Sequence, residues 1–157
     1  FIDCGAGIGA TTAMLKLAYP DAKVYYHNLR NSEQWRFAEH LFTLLNIKIE
    51  MISDLSEIKE KEIDCVCALE YFEHFKEPFV EVQKFLNFKP KYILDSSRFT
   101  QACQGHFEHY TVGGKDVYHR KVQKLYKEFL ASMGYEYSYI SDYQWNRYPS
   151  FYKNTNA

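Results

Sequence analysis

Apolar residues along this chain fall into two rhythms that alternate from end to end: short, nearly unbroken runs, and longer stretches with an apolar residue every third or fourth position. Phe1-Ile2 is the end of a first run, which stops at Asp3. Met14, Leu15 and Ala18 then fall at helical spacing within Thr11 to Ala18, and Tyr19-Pro20-Asp21 ends that helix in a turn. Lys23 to Tyr26 reads as a second strand. Asn31 followed by Gln34 has the form of a helix start with a reciprocal cap, and Trp35, Ala38, Leu41, Phe42 and Leu45 share one face of a helix running to Asn46. Ile47, Ile49 and Met51 alternate as a third strand. Ile63 to Leu69 is almost continuously apolar, the pattern of a strand covered on both faces. Pro78 suits a first helical turn, with Phe79, Val82, Phe85 and Leu86 inward until Lys89-Pro90, and Tyr92 to Asp95 is a fifth strand. Ser96 to Gly114 has no clear period. Lys115 to Met133 predicts a helix with Val122, Leu125, Phe129 and Leu130 on one face and Gly134 as a left-handed stop. Tyr135 to Ser141 and Trp145 to Lys153 alternate around Asp142 as an antiparallel hairpin.

This succession of strand and helix, with no linker, repeat or low-complexity segment, predicts an α/β fold: a doubly wound, Rossmann-like sheet, mostly parallel, with a C-terminal antiparallel hairpin. The 157 residues suit a single domain, 1–157. A buried central strand usually runs about five or six residues. With so little before Asp3, the expectation is a domain lacking its N-terminal segment and belonging to a longer chain with further domains.

Composition narrows the partners more than the fold. A net charge of -1 gives no electrostatic footprint for nucleic acid, and no apolar run is long enough to span a bilayer. Cys4, Cys65, Cys67 and Cys103 have no metal-binding spacing and read as reduced, mostly buried thiols of a cytoplasmic protein. Aromatic residues make up 18% of the chain, and most of its 14 tyrosines follow position 90, either as compositional drift or as a substrate surface.

The candidate chemistry begins at Asp3-Cys4-Gly5-Ala6-Gly7-Ile8-Gly9, a strand end that turns through three alternate glycines into a helix. Glycine lets a ligand lie close to the main chain, and the helix start presents unpaired N–H groups. Gly5-x-Gly7-x-x-Ala10 also fits the dinucleotide fingerprint, but such an enzyme would usually carry an acid about 20 residues further on. Here the second strand ends in Tyr26-His27-Asn28. A carboxylate at Asp3 opposes a pyrophosphate and suits a cationic ligand.

With acid and glycines together, the stretch resembles the first motif of class I S-adenosylmethionine-dependent methyltransferases, acid-x-Gly-x-Gly-x-Gly, complete at Asp3, Gly5, Gly7 and Gly9. The resemblance extends over essentially the whole chain. It implies S-adenosylmethionine as cofactor, held by these four residues with Ala6 and Leu69, by Asp54 at the adenine amino group, and by Asn28, which stands where the family has an acid for the ribose hydroxyls.

For the acceptor side, Glu70, Glu73 and His74 stand at i, i+3 and i+4 after the fourth strand and would share a face if helical. They are the candidate catalytic residues. The motifs of amino-directed and cytosine C5 DNA methyltransferases are absent. Glu-x-x-Glu-His resembles the stretch found in ubiquinone-pathway and small-RNA 2′-O-methyltransferases, which implies a divalent ion such as Mg²⁺ held by Glu70, Glu73, His74 and a later histidine, His106 or His109. Two other readings stay open: His74 or a loop histidine as a metal-free base, and solvated carboxylates beside a packing histidine. Tyr71, Phe72, Phe107 and Tyr110 either wall a substrate or form core. The function expected is methyl transfer to a small-molecule acceptor, with oxygen favoured over nitrogen. The alternatives are a catalytically inactive cofactor-binding module of a longer protein and, disfavoured by Asp3 and by length, a nucleotide-dependent oxidoreductase.

Overall fold

The apolar runs become short strands and the periodic stretches become helices in the computed structural model, which describes residues 1–59, 63–100, 103–139 and 150–156. In chain order the elements are β1 (Ile2–Cys4), α1 (Ala10–Ala18), β2 (Tyr25–His27), α2 (Glu33–Leu44), β3 (Glu50–Ile52), β4 (Cys65–Ala68), α3 (Pro78–Leu86), β5 (Tyr92–Asp95), β6 (His109–Val112), β7 (Lys115–Tyr118), α4 (His119–Ser132), β8 (Tyr135–Tyr139) and β9 (Ser150–Asn154). Seven strands form one sheet in the order β3-β2-β1-β4-β5-β9-β8. The first five are parallel; β9 runs antiparallel to β5 and to β8. The chain reverses its outward march between β3 and β4. The strand C-termini flanking that switch, in β1 and β4, are where an open α/β sheet forms a ligand crevice.

Alternation along each strand sends neighbours to opposite faces. Tyr26 joins Ala13, Trp35, Ala38 and Phe42 beneath α1 and α2. Tyr25 joins Ile2, Val66, Phe85, Ile93, Tyr126 and Leu130 beneath α3 and α4. Burying one such large side chain contributes about 1.5–3 kcal/mol.

Local chemistry moves several boundaries. Helix α2 is capped by Ser32, whose hydroxyl accepts from Trp35 N, while Asn31 takes φ +64° outside the helix; the expected Asn31–Gln34 cap does not form. Met14 is 71% exposed, because α1 buries Thr12 and Ala13 instead. Helix α4 starts at His119, not Lys115. The residues before it form β7, paired with β6 across Gly113 and Gly114, both at positive φ as a two-residue hairpin turn requires. Residues 96–114 are therefore not wholly irregular. The C-terminal hairpin is present in β8 and β9. Residues 140–149, with Ser141, Asp142 and Trp145, lie outside the described residues. Among the described residues, no helix is long and apolar enough to cross a membrane.

Candidate active site

Asp3 lies one residue before the end of β1, fully inside the protein, 2% exposed, and the Thr12 hydroxyl donates to its Oδ2 at 2.6 Å. Burial pushes its carboxyl up to about 6, even though the Thr12 bonds pull the other way. The three glycines that follow all have positive φ, but they meet different surroundings. A Cβ on Gly5 would collide with Cδ2 of Tyr71, one on Gly9 would stand 2.7 Å from Cζ of Phe42, and one on Gly7 would meet nothing within 4 Å. Gly7 is thus the open point of the turn. Its carbonyl accepts from Tyr26 OH at 2.6 Å and from Asn28 Nδ2 at 3.1 Å, which ties the turn to β2. Asp3, Gly5, Ala6, Gly7 and Leu69 line a cleft of about 250 Å³, bringing together residues predicted from β1 and β4.

A second cavity, about 940 Å³, adjoins the first at Gly5. Asn28, Asp54 and Glu70 line its rim, and His27, Tyr71, Glu81 and Lys84 its wall. The described part of the β3-to-β4 crossover contains a 3₁₀ turn, Leu55–Glu57, and Leu55 and Ser56 of that turn line the cavity. Asp54 caps that turn. Its Oδ1 accepts from Ser56 N, which holds its carboxyl below the usual range, and Glu57 answers by accepting from Asp54 N. Burial pushes the His27 imidazole down, and its Nδ1 is buried without a hydrogen-bond partner.

Glu70, Glu73 and His74 do not share a face. Glu70 adopts φ +57°, which breaks any helix there, and only Phe72–His74 coil, as a 3₁₀ turn. Glu70 and His74 are exposed, whereas Glu73 is wholly buried. Ser96 and Ser97, beyond β5, fix this bend: their hydroxyls accept from Glu70 N at 3.1 Å and Phe72 N at 3.2 Å. Glu73 Oε1 accepts from Arg98 N at 3.2 Å, and Oε2 is buried with no hydrogen-bond partner.

Ligand atoms of Glu73, His74 and His106 lie within 4.8 Å of one another; Glu70 and His109 stand outside this group. His74 Nδ1 lies 3.1 Å from the Gly105 carbonyl, which can only accept, so Nδ1 carries the proton and Nε2 keeps the lone pair of the neutral ring. The close approach needs a residue without Cβ at Gly105, where one would meet Nδ1 at 3.0 Å. The orphaned Glu73 oxygen beside two imidazoles fits a divalent ion. Such a mixed donor set favours Mn²⁺, Fe²⁺ or Zn²⁺ over the oxygen-seeking Mg²⁺. The β6–β7 hairpin docks alongside through Thr111 N to Lys76 O, Lys76 Nζ to His109 O, and Tyr110 OH to the Glu73 carbonyl. Tyr110 and Phe72 are fully buried core, Phe107 is exposed, and Tyr71 is half-buried over Gly5. Thr12, Ser96, Ser97 and Gly105 were not among the sequence candidates. Their roles depend on which loops meet in space, and no local pattern marks that.

Sheet order, glycine turn and crevice together define the fold of class I S-adenosylmethionine-dependent methyltransferases, mostly parallel with the antiparallel pair at one edge. No family model and no curated protein matches the sequence. Solved structures match in fold. Magnesium protoporphyrin IX methyltransferase from Synechocystis, with bound SAM, aligns over 98% of this chain and 69% of its own at 16% identity and TM-score 0.67. The N-terminal domain of EvdMO1, with SAH bound, aligns over 98% and 73% at 15% identity and TM-score 0.67. The methyltransferase domain of a bacterial Hen1, CtHen1-C, aligns over 97% and 87% at 11% identity and TM-score 0.65.

Proposed function

We propose that this chain binds S-adenosylmethionine across the glycine turn and catalyses methyl transfer to a hydroxyl of a small-molecule acceptor. The observation that carries this is the open Gly7 backbone beside a buried acid, Asp3, in one cleft. Asp3, Gly5, Ala6, Gly7 and Leu69 would hold the methionine end, and Asn28 and Asp54 the nucleoside end; Gly9, expected at the cofactor, is instead buried against Phe42 and Ala38 and does not line the cleft. The cofactor supplies an electrophilic methyl group on a sulfonium. The protein aligns the acceptor, excludes water and deals with the hydroxyl proton. Glu73, His74 and His106 would hold a divalent ion that lowers the hydroxyl pKa, leaving Glu70, exposed at the rim, to take the proton. A metal-free reading rests on His74 alone: with Nδ1 held by Gly105, its Nε2 is oriented to act as the base.

Calorimetry tests the cofactor assignment through Asp3. With its carboxyl near pKa 6, about half the molecules carry a proton there at pH 6, and a cationic ligand favours the ionised form. S-adenosylmethionine affinity is expected to rise as pH climbs through 6. Binding at pH 6 should release up to about half a proton, seen as an enthalpy that varies with the buffer's heat of ionisation. Asp3→Asn should remove the release and most of the affinity. Binding of NAD in preference to S-adenosylmethionine would refute the assignment.

A further inference from the structure

We infer that Tyr71 is a plug in the cofactor cradle, which must swing aside before a ligand can span both cavities. This rests on the cofactor reading above and adds a residue that the reading does not use. The ring edge of Tyr71 lies where a Gly5 Cβ would be, so the protein's own side chain covers the glycine that lines both cavities. The 250 Å³ cleft has room for the amino-acid end of a nucleoside–amino acid conjugate, and the 940 Å³ cavity has room for its nucleoside. A ligand occupying both must cross Gly5.

The surroundings of Tyr71 fit a side chain held in one of two positions. Glu70, directly before it, is kept at φ +57°, a conformation unfavourable to a residue with a Cβ and maintained only where neighbours enforce it. Ser96 and Ser97 pin the backbone on either side, so a displacement of Tyr71 is a rotation of the ring about its own side-chain bonds, out of edge-on packing with Phe72, Phe75 and Phe85 at 5.3, 4.9 and 5.9 Å between centroids. The hydroxyl is held by one long bond, 3.3 Å, to Oε1 of Glu81, whose Oε2 is already paired with Lys84 at 2.5 Å. Releasing the ring therefore leaves Glu81 paired. The ring also packs edge-on to His27, centroids 6.0 Å apart, and His27 Nδ1 is the buried nitrogen without a partner.

The test is S-adenosylhomocysteine binding to the wild type and to Tyr71→Ala, by calorimetry and stopped flow. If the open ring position is populated at about a tenth or less, Tyr71→Ala should bind at least about tenfold tighter. Its observed association rate should rise linearly with ligand, while that of the wild type levels off at the opening rate. Equal or weaker binding by Tyr71→Ala with unchanged kinetics overturns the plug and leaves the cofactor reading standing. Absence of binding by both proteins overturns the two together. Should Tyr71→Ala fail to fold, wild type carrying 3-fluorotyrosine answers the same question, with the Tyr71 resonance identified by its loss in Tyr71→Phe. A resonance that moves on saturation supports the plug, and one that stays overturns it.

Discussion

Mn²⁺ at a hundred times its dissociation constant is expected to raise the unfolding midpoint by about 5–10 °C, since ligation at that excess is worth about 2.7 kcal/mol and a domain of this size shifts about 2–4 °C per kcal/mol. Glu73→Gln should abolish the rise. Glutamine keeps the volume and the Oε1 acceptor for Arg98 N but removes the charge that a cation needs. Without the ion, the variant should be as stable as the wild type or more so, because the buried Oε2 then no longer belongs to a carboxylate lacking a second partner. Turnover should fall about 100-fold or more while S-adenosylhomocysteine binding persists. If exhaustive chelation and Glu73→Gln both leave melting and turnover untouched, the ion is not part of the mechanism. The metal-free reading then stands, and His74→Ala becomes the variant that costs turnover.

Gly9→Ala should destabilise the fold by about 3 kcal/mol, lowering the midpoint by about 10 °C. An alanine at φ +81° costs about 1–2 kcal/mol, and its methyl would press on Phe42 Cζ at 2.7 Å and Ala38 Cβ at 3.0 Å, which adds overpacking of about 1–3 kcal/mol. The contact matters because Gly9, the N-cap of α1, lies against Phe42 and Ala38 of α2, which are core there. Gly7→Ala is the contrast: nothing lies within 4 Å of its Cβ, so it carries backbone strain alone, about 1 kcal/mol, yet it should weaken S-adenosylmethionine binding sharply. Thermal melts of both variants decide the matter. Equal losses would mean that Gly9 serves no packing role.

The parallel core was legible because period and burial agree there: Ile63 to Leu69 looks like a strand covered on both faces, and β4 is one. The glycine turn was legible because all three glycines take positive φ, a demand of the local backbone, although Gly5 and Gly9 also make room for Tyr71 and Phe42. Boundaries failed where a short polar residue could serve in two ways, as when Ser32 rather than Asn31 takes the cap. Gly113-Gly114 was the readable sign of a hairpin, masked by the helical period of the residues after it. The acceptor side was legible in its residues but not in their directions. Spacing alone put Glu70, Glu73 and His74 on one face, whereas the bend at Glu70 turns one carboxylate to solvent and the other into the core. His106 joins Glu73 and His74 through a loop closure that no local pattern records.

Asn28 shows why this sequence departs from the pattern it otherwise follows. Its amide must donate, because both Tyr26 OH and Asn28 Nδ2 are directed at the Gly7 carbonyl oxygen. Restoring the family's acid by Asn28→Asp would set a carboxylate oxygen against that carbonyl, two lone pairs facing each other with no hydrogen between them. Position 28 is therefore coupled to position 26, and an acid could take the place of the asparagine only if the tyrosine changed with it.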